Sequence, residues 1–279
     1  MNMKNILVAL SEHGFWVEEL LLPMDHFEKA GYNVTFLTPN GKTPFPDGAS
    51  MDSSYVDPPL GRPVTSPELE ERGKSINWEE YFGDRVISLA DWMPMRPYLS
   101  ANNYVGHLEE YYGARDEAFK KIDEFDGFLM VGGSGPIVDM VNNQRLHDLI
   151  LGFYYADKLI GAECYTVTCL AFSRELDSRR SILNGKHVTG HTMEYDYTDG
   201  WSIWANDAFL NFGAPPFSLE YILRDTVGPE GAFHGNVGHR LSVILDFPFL
   251  TSRSVASSDL CGEVFVRALE EGITKFGWH

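Results

Sequence analysis

Cysteine is scarce in this 279-residue chain, and its spacing excludes several kinds of site. The three cysteines, Cys164, Cys169 and Cys261, match no metal-binding spacing, and an odd number cannot all pair in disulfides. We therefore expect reduced thiols in a reducing compartment, and we predict neither a metal site nor a bound cofactor.

Basic residues and long apolar segments are also few. The 22 lysines and arginines against 40 acidic residues give a formal net charge of −18, which argues against nucleic acid or an anionic membrane as a partner. No apolar stretch approaches the roughly 20 residues that a membrane helix needs. The opening MNMKNILVALSEHG has a five-residue apolar run, too short for a signal peptide. We predict a cytoplasmic protein that acts on a small molecule.

What the sequence does contain is an alternation of strand-like and helix-like segments. Residues 5–10 (NILVAL) form a continuous apolar run that is typical of a central parallel strand. Apolar residues then recur at helical spacing from Trp16 to Ala30, and Gly31 supplies a helix stop. Residues 33–37 (NVTFL) are the next strand, so this part of the chain predicts one βαβ unit.

Residues 42–112 interrupt this alternation. They are rich in proline, aspartate, tryptophan, methionine and tyrosine, and their aromatic content argues against disorder. A stretch this long inside a compact domain is usually functional or a subdomain of its own. We predict one domain over residues 1–279, with residues 42–112 as an insertion that folds over one face of the sheet as a lid.

The alternation resumes with a helix at about 114–124 and a strand at 127–131, followed by the loop Gly132-Gly133-Ser134-Gly135. A helix at 144–157 and a strand at 158–164 come next. Strands that alternate with helices at this interval predict an α/β fold with a doubly wound, mostly parallel sheet and a ligand site at the carboxyl ends of the strands.

The segment 158–176 (KLIGAECYTVTCLAFSREL) organises the candidate site. A short buried strand stops at Cys164, and helical spacing begins at Tyr165. A sharp strand-to-helix turn lifts a side chain out of the sheet, and the first helical N–H groups point at it, which lowers the pKa of a thiol. The alternative is that Cys164 is a small buried hydrophobic residue, as free cysteines often are.

Three groups that could form a site follow the ends of three predicted strands. They are the carboxyl of Glu18, the backbone amides of the Gly132–Gly135 loop and the thiol of Cys164, and we expect them to meet in one crevice. We expect the loop amides, with the amide of Tyr165, to form an oxyanion hole. Taken singly, Glu18 fits a first-turn acid that complements the helix dipole, and the loop fits an ordinary turn; their coincidence favours a site.

Several motifs together resemble the ThiJ/PfpI superfamily, in the branch of heat-shock-type chaperones and glutathione-independent glyoxalases (glyoxalase III). The motifs are HGFWVEELLLPMDHFEKAGYNVTFLTPNG at 13–41, VGGSGP at 131–136, GAEC at 161–164, NGKHVTGHT at 184–192 and PFSLEYIL at 216–223. The resemblance implies a flavodoxin-like sandwich, a nucleophilic Cys164, a proton-sharing Glu18 and a third acid at Asp196, with Glu194 as a substitute. It also implies a homodimer.

The chain departs from this family pattern at two positions. Relatives of this branch usually carry a histidine directly after the cysteine, as the base, where this chain has Tyr165, and a histidine in the glycine loop, where it has Ser134. An unperturbed tyrosine titrates near pH 10 and is a poor base at neutral pH. His191 is the substitute base that we predict, with His187 a weaker candidate, and either residue is alternatively structural.

The predicted function is that of a cofactor-independent, cysteine-dependent enzyme of the glyoxalase III type, which converts a 2-oxoaldehyde to a 2-hydroxy acid. In this scheme Cys164 attacks the carbonyl carbon, Glu18 transfers the proton and backbone amides hold the oxyanion. The alternatives are a hydratase or hydrolase with the same pair of residues, or a holdase chaperone or redox-stress protein in which Cys164 is oxidised.

Overall fold

The computed structural model describes residues 3–57, 62–194, 202–205, 208–211 and 218–278. Their strands, in chain order, are β1 (Asn5–Ala9), β2 (Asn33–Thr38), β3 (Val56–Asp57), β4 (Arg62–Pro63), β5 (Val86–Ser88), β6 (Gly127–Met130), β7 (Leu159–Glu163), β8 (His187–Val188), β9 (Ser202–Ala205), β10 (Ala208–Asn211), β11 (Ala232–Phe233), β12 (Val243–Asp246), β13 (Phe249–Ser252) and β14 (Lys275–Trp278).

Helices separate most of these strands. They are α1 (Val17–Ala30), α2 (Pro67–Ser75), α3 (Trp78–Phe82), α4 (Leu89–Trp92), α5 (Tyr104–Lys120), α6 (Pro136–Asp139), α7 (Gln144–Tyr155), α8 (Leu219–Val227) and α9 (Ser258–Glu271). Short 3-10 helices span Gly48–Met51, Gly83–Arg85, Lys121–Glu124, Cys164–Phe172 and Val255–Ser257. Within the described residues, no helix is both long enough and apolar enough to cross a membrane.

One large sheet of eight strands lies at the centre, in the order β14-β12-β13-β7-β6-β1-β2-β5. The neighbours from β5 to β13 pair in parallel, and β12 pairs antiparallel with both β13 and β14. The predicted α/β fold with a doubly wound, mostly parallel sheet is confirmed. The neighbours β1, β6 and β7 therefore end at the same edge of the sheet.

Apolar side chains cover both faces of the sheet. Along β1, Leu7 and Ala9 join the core beneath α7, whereas Ile6 and Val8 join the core beneath α1 and α9. This alternation follows from the period of two residues along a strand. Because both faces of the sheet are buried, a ligand can reach the central strands only at their ends, where polar residues lie.

Helix α1 runs from the site edge back along the sheet. Its apolar residues Leu20, Met24 and Phe27 face the core, and Gly31 ends it in a left-handed conformation with a φ of 72°. The predicted helix and its glycine stop are confirmed. The first turn, which carries Glu18 and Glu19, is buried as well, so an acidic pair enters the protein interior here.

Residues 42–112 form several short elements. Strand β5 pairs in parallel with β2 and extends the main sheet, and α2 packs against α1. The helix predicted at about 114–124 begins earlier, inside the insertion, as α5, and a 3-10 helix over Lys121–Glu124 follows it. Part of the insertion therefore belongs to the sheet, and its role as a lid stays a prediction.

Candidate active site

Cys164 occupies a sharp turn between β7 and the 3-10 helix that follows. Its φ angle is +54°, a left-handed conformation that residues other than glycine seldom adopt. Thr166 braces the turn: its hydroxyl accepts a hydrogen bond from the N–H of Glu163 at 3.1 Å and donates to the carbonyl oxygen of Met130 at 2.9 Å. A strained residue at the end of a central strand has the form of a nucleophile elbow.

The helix after the turn is of the 3-10 type over Cys164–Phe172, and the structure thereby refines the helix predicted there. Every side chain from Cys164 to Ala171 is buried, so packing on all sides, rather than an exposed face, sets its shape. A 3-10 helix is tighter than an α-helix and brings its first amides close to the turn.

Close backbone contacts explain the glycine-rich loop after β6. A Cβ on Gly132 would lie 2.6 Å from Cβ of Cys164, and one on Gly133 would lie 2.6 Å from the backbone nitrogen of Trp16. Gly133 also has a φ of 104°, which disfavours any larger residue. The loop is therefore packed directly against the cysteine and the chain before α1, which is more than an ordinary turn requires.

Two backbone amides point at the sulfur of Cys164. They belong to Gly133 and Tyr165, and both favour the thiolate form. The loop and the elbow thus meet as the sequence predicted, with Gly133 supplying the donor. Gly132 directs its carbonyl oxygen away, accepting the N–H of Trp16 at 3.2 Å.

The carboxyl group against the thiol belongs to Glu19, not to Glu18. Glu19 makes the polar contact with Cys164, and its Oε2 lies where a side chain on Gly132 would begin. Glu18 instead contacts Thr65 and Trp16. The prediction of Glu18 as the proton-sharing partner therefore falls one position early, because successive residues of a helix point about 100° apart.

Burial dominates the acid chemistry of this region. It raises the pKa of Glu18 to about 7 and that of Glu19 to about 8, where the charge of Glu18 adds to the rise. Burial and then the charge of Glu19 raise the pKa of Glu163, the residue before the elbow. Within the described chain, no carboxylate oxygen of these three residues has a well-formed hydrogen bond, so all three favour the neutral acid.

The thiol of Cys164 is also shifted towards its neutral form. Burial, and after it the charge of Glu19, raises its pKa, and the amides of Gly133 and Tyr165 only partly oppose this. The expectation that the elbow lowers the pKa is thus wrong for the resting protein, because only 7% of Cys164 is exposed. A proton must leave the thiol during attack, and Glu19 is the group in place to receive it.

Tyr165, the residue directly after Cys164, lies against His191. Their rings are tilted by 30° with centroids 4.2 Å apart. Tyr165 also packs with Ile137, Leu219 and Cys164 in a small buried cluster. The structure therefore brings the predicted substitute base next to the residue that stands where relatives carry histidine.

The remaining predicted site residues are Asp196, Glu194 and His187. Asp196 lies outside the described residues, and its neighbour Glu194 is exposed. The ring nitrogen Nδ1 of His187 lies 2.9 Å from Nε2 of His234. The backbone N–H of His187 donates to the carboxylate of Asp246, the last residue of β12, at 3.0 Å. In the described part of the chain, no group of three or more His, Cys, Asp or Glu residues has a metal-holding arrangement.

The insertion contributes buried polar residues to this edge of the sheet. The hydroxyl of Ser50 accepts a hydrogen bond from the N–H of Val17 at 3.1 Å, and Thr65 donates to the carbonyl oxygen of Ser50 at 3.0 Å. Asp47 is in polar contact with Ser134 in the glycine loop. The start of the insertion is therefore built into the site.

Sequence reasoning missed Glu19, Glu163 and Asp47. A charged residue at the end of the otherwise apolar strand LIGAE was a visible signal for burial at Glu163. Asp47 lies in a Pro-Asp-Gly sequence, which is typical of an exposed turn and therefore gave no indication that its side chain is buried. The helical periodicity could not show that Glu19, rather than Glu18, faces the thiol, because the whole first turn of α1 is buried.

Comparison with known sequences points to one family. A family model described as ThiJ/PfpI family-like matches residues 10–211, which is most of the chain. No curated protein sequence matches it.

Solved structures share the fold over nearly the full chain. The Rapid Encystment Protein 24 kDa of Francisella tularensis has a TM-score of 0.67 at 19% identity, covering 96% of this chain and 99% of that one. Glyoxalase III of Candida albicans has a TM-score of 0.66 at 15% identity, with 96% and 98% covered. DJ-1beta of Drosophila melanogaster has a TM-score of 0.51 at 15% identity, with 96% and 90% covered. At these identities the likeness is one of fold.

Proposed function

Because this chain belongs to the ThiJ/PfpI family, we propose that it is a cofactor-independent enzyme that uses Cys164 to convert a small 2-oxoaldehyde to a 2-hydroxy acid, as a glyoxalase III does. One observation carries the proposal: the thiol on the strained turn has the Glu19 carboxyl against it and the amides of Gly133 and Tyr165 directed at it. These are a nucleophile, a proton carrier and an oxyanion hole.

In the first step Cys164 adds to the aldehyde carbon. The S–H proton passes to one oxygen of the Glu19 carboxyl, whose other oxygen delivers a proton to the carbonyl oxygen. A C–S bond forms, the carbonyl π bond breaks and a neutral hemithioacetal results. Glu19 suits this exchange because its pKa, raised to about 8, keeps it protonated at neutral pH.

In the second step a base moves a proton from the former aldehyde carbon to the neighbouring ketone carbon. His191 is the residue that we propose for this role, since its ring lies 4.2 Å, centroid to centroid, from that of Tyr165, which packs against Cys164. The C–H electron pair forms an enediolate, which the amides stabilise. The second carbon then takes up the proton, the hydroxyl proton on the first carbon passes to the enediolate oxygen, and a thioester of the 2-hydroxy acid results. Water then adds to the thioester, the C–S bond breaks and the thiol regains its proton.

The surroundings of Cys164 favour a small, uncharged substrate. Ile137, Tyr165 and Leu219 present apolar surface to it, and an anion would lose its hydration among these apolar groups and neutral carboxyls without gaining a cation as partner. A short oxoaldehyde such as methylglyoxal meets both conditions.

The decisive experiment measures methylglyoxal consumption and lactate formation in the absence of glutathione. We expect activity in the wild type, none in Cys164→Ala and nearly full activity in Cys169→Ala, which removes a buried thiol of the same 3-10 helix. Activity that survives Cys164→Ala would exclude every covalent mechanism at this residue.

A hydratase or hydrolase that uses the same thiol is the second candidate. The observation in its favour is the tyrosine at position 165, because abstraction of a C–H proton needs a strong base, whereas acyl transfer does not. Turnover of small activated esters or amides without isomerisation of methylglyoxal would select this candidate.

A redox-stress role for Cys164 has less support. Oxidation proceeds through the thiolate, and burial raises the pKa of this thiol and limits access to it. Mass spectrometry after mild peroxide treatment tests the point: we expect slow oxidation of Cys164. Rapid conversion to the sulfinic acid would favour the redox role.

The same proposal includes a cytoplasmic homodimer, as the family resemblance suggests. The net charge of −18 favours a soluble particle that avoids anionic surfaces. Light scattering of the purified protein tests the dimer, and a mass near 31.5 kDa would show a monomer instead.

A further inference from the structure

The glycine loop that carries the Gly133 amide needs something to hold it. Three glycines among residues 132–135 give the backbone wide conformational freedom, yet an oxyanion donor is useful only when it is fixed. The contacts that fix it come from the insertion.

Asp47 is the centre of these contacts. Its side chain is 1% exposed and accepts a hydrogen bond from the N–H of Ala49 at 3.0 Å. Ser134, itself 8% exposed, places its side chain in polar contact with the same carboxylate and favours its ionised form. The side chain of Asp47, which belongs to the insertion, thus contacts both its own turn and the glycine loop.

The backbone of Asp47 holds the other side of the loop. Its N–H donates to the carbonyl oxygen of Phe15 at 2.7 Å, and the N–H of Phe15 donates to the carbonyl oxygen of Phe45 at 3.2 Å. The next residue, Trp16, donates its N–H to the carbonyl oxygen of Gly132 at 3.2 Å. The loop is therefore tied to Asp47 through Ser134 on one side and through the strand-like Phe15 segment on the other.

We propose that Asp47 is a positioning residue of the site, which holds the Gly133 amide towards Cys164 through the hydroxyl of Ser134. This role rests on the proposed chemistry at Cys164, since it concerns the oxyanion donor of that reaction. Asp47 itself touches neither the thiol nor a substrate. It acts through the loop, and the insertion thereby becomes a required part of the oxyanion hole.

The chemistry of the pair supports this role. Burial raises the pKa of Asp47 to about 6, and the hydrogen bonds from Ala49 and Ser134 oppose that rise. The carboxylate is therefore still ionised at neutral pH, where a hydrogen bond to a charged acceptor is roughly twice as strong as a neutral one. A buried carboxylate without Ser134 would be left short of partners.

The test is a double-mutant cycle on the full-length protein. The variants are Asp47→Ala, Ser134→Ala and the two together, with Asp47→Asn as the conservative replacement that keeps an oxygen acceptor. Asp52→Ala is the matched control, because this exposed residue follows the same 3-10 helix but bonds only within its own turn. Hydrogen exchange of the peptide that covers residues 131–137 reports the loop, and a β1 peptide reports the fold.

We expect Asp47→Ala to speed exchange of the loop peptide about tenfold or more and to leave β1 unchanged. Ser134→Ala should do the same, the double variant should add little to either, and Asp47→Asn should restore most of the protection. In turnover assays the loss should fall on kcat rather than on KM, because the donor serves the transition state.

Additive effects of the two alanine variants, or exchange that rises equally in β1, would overturn the proposal. So would unchanged loop exchange in a folded Asp47→Ala. Because exchange needs no substrate, these outcomes are separate from a failure of the proposed function, which would appear as absent turnover in the wild type.

Discussion

Two groups of residues near Cys164 are built in different ways. The first, which we call the acid side, is Glu19 and Glu163, held by the first turn of α1 and the last residue of β7, and both are fully buried. The second, which we call the base side, is Tyr165 and His191, whose rings are in contact, and His191 comes from the irregular segment after β8.

This difference separates two tasks. On the acid side burial keeps the carboxyls neutral, and in the proposed mechanism Glu19 transfers protons there. On the base side the proposed mechanism uses the imidazole of His191, and Tyr165 stands directly after the cysteine. The proposed mechanism assigns proton transfer with the thiol to the acid side and proton transfer at the substrate carbon to the base side, and the following predictions test this contrast.

The largest effect should come from the acid against the thiol. Glu19→Gln removes the proton carrier and should lower kcat by roughly 10²- to 10⁴-fold with the fold retained. Glu18→Gln, one position away, should lower it by less than about tenfold, since Glu18 contacts Thr65 rather than the thiol. Steady-state kinetics on both variants checks this, and a reversed order would restore Glu18 to the role first predicted.

The acid side should also set how stability depends on pH. Folding raises the pKa of Glu18 from its ordinary 4.5 to about 7 and that of Glu19 to about 8, so the folded state binds these protons more tightly. Their contribution is therefore complete below about pH 4.5 and is lost as pH rises through about 7 to 8, by roughly 3 kcal/mol for Glu18 alone.

Urea unfolding at pH 5 and pH 9 measures this loss. The pH dependence should be weaker in Glu18→Gln and weaker still in the double variant Glu18→Gln/Glu19→Gln. Glu28→Gln, an exposed position on the same helix, is the control and should follow the wild type. If the double variant keeps the full wild-type difference between the two pH values, the acids are not neutral in the folded protein.

The same contrast explains which features the sequence could predict. Strands β1, β6 and β7 and the turn at Cys164 follow from apolar runs and glycines, which are local signals, so the sheet and its site edge were predictable. The choice between Glu18 and Glu19 depends on the rotation of a helix whose first turn is buried all round. Asp47 required knowledge of how the insertion folds back, which is a tertiary contact.

The base side should give the next effect. His191→Gln should slow methylglyoxal isomerisation by roughly 10²-fold, because a general base contributes about that much or more. Alkylation of Cys164 by iodoacetamide should proceed at nearly the wild-type rate, since the acid side is intact. Equal losses in both assays would mean that His191 supports the fold around Tyr165 instead of acting as the base.

The smallest effect should come from the phenol of Tyr165. Its amide is the group that points at the sulfur, and Tyr165→Phe preserves that amide and the ring that packs against Ile137. If the hydroxyl donates one hydrogen bond to developing charge, its loss costs about 1.5 to 3 kcal/mol, or some ten- to hundredfold in kcat/KM. Unchanged kinetics in Tyr165→Phe would mean that the side chain of Tyr165 only packs in the pocket and donates no hydrogen bond in the reaction.

Tyr165→His sharpens the same comparison by returning an imidazole to the position next to the thiol. With an ordinary pKa near 6.5, this histidine should raise glyoxalase activity and make His191 dispensable in the double variant Tyr165→His/His191→Gln. Kinetics of the single and double variants on methylglyoxal provide the measurement. If the double variant is as slow as His191→Gln alone, a histidine at position 165 cannot act as the base in this site. The position of the base at residue 191 would then be a requirement of this chain's own active-site geometry.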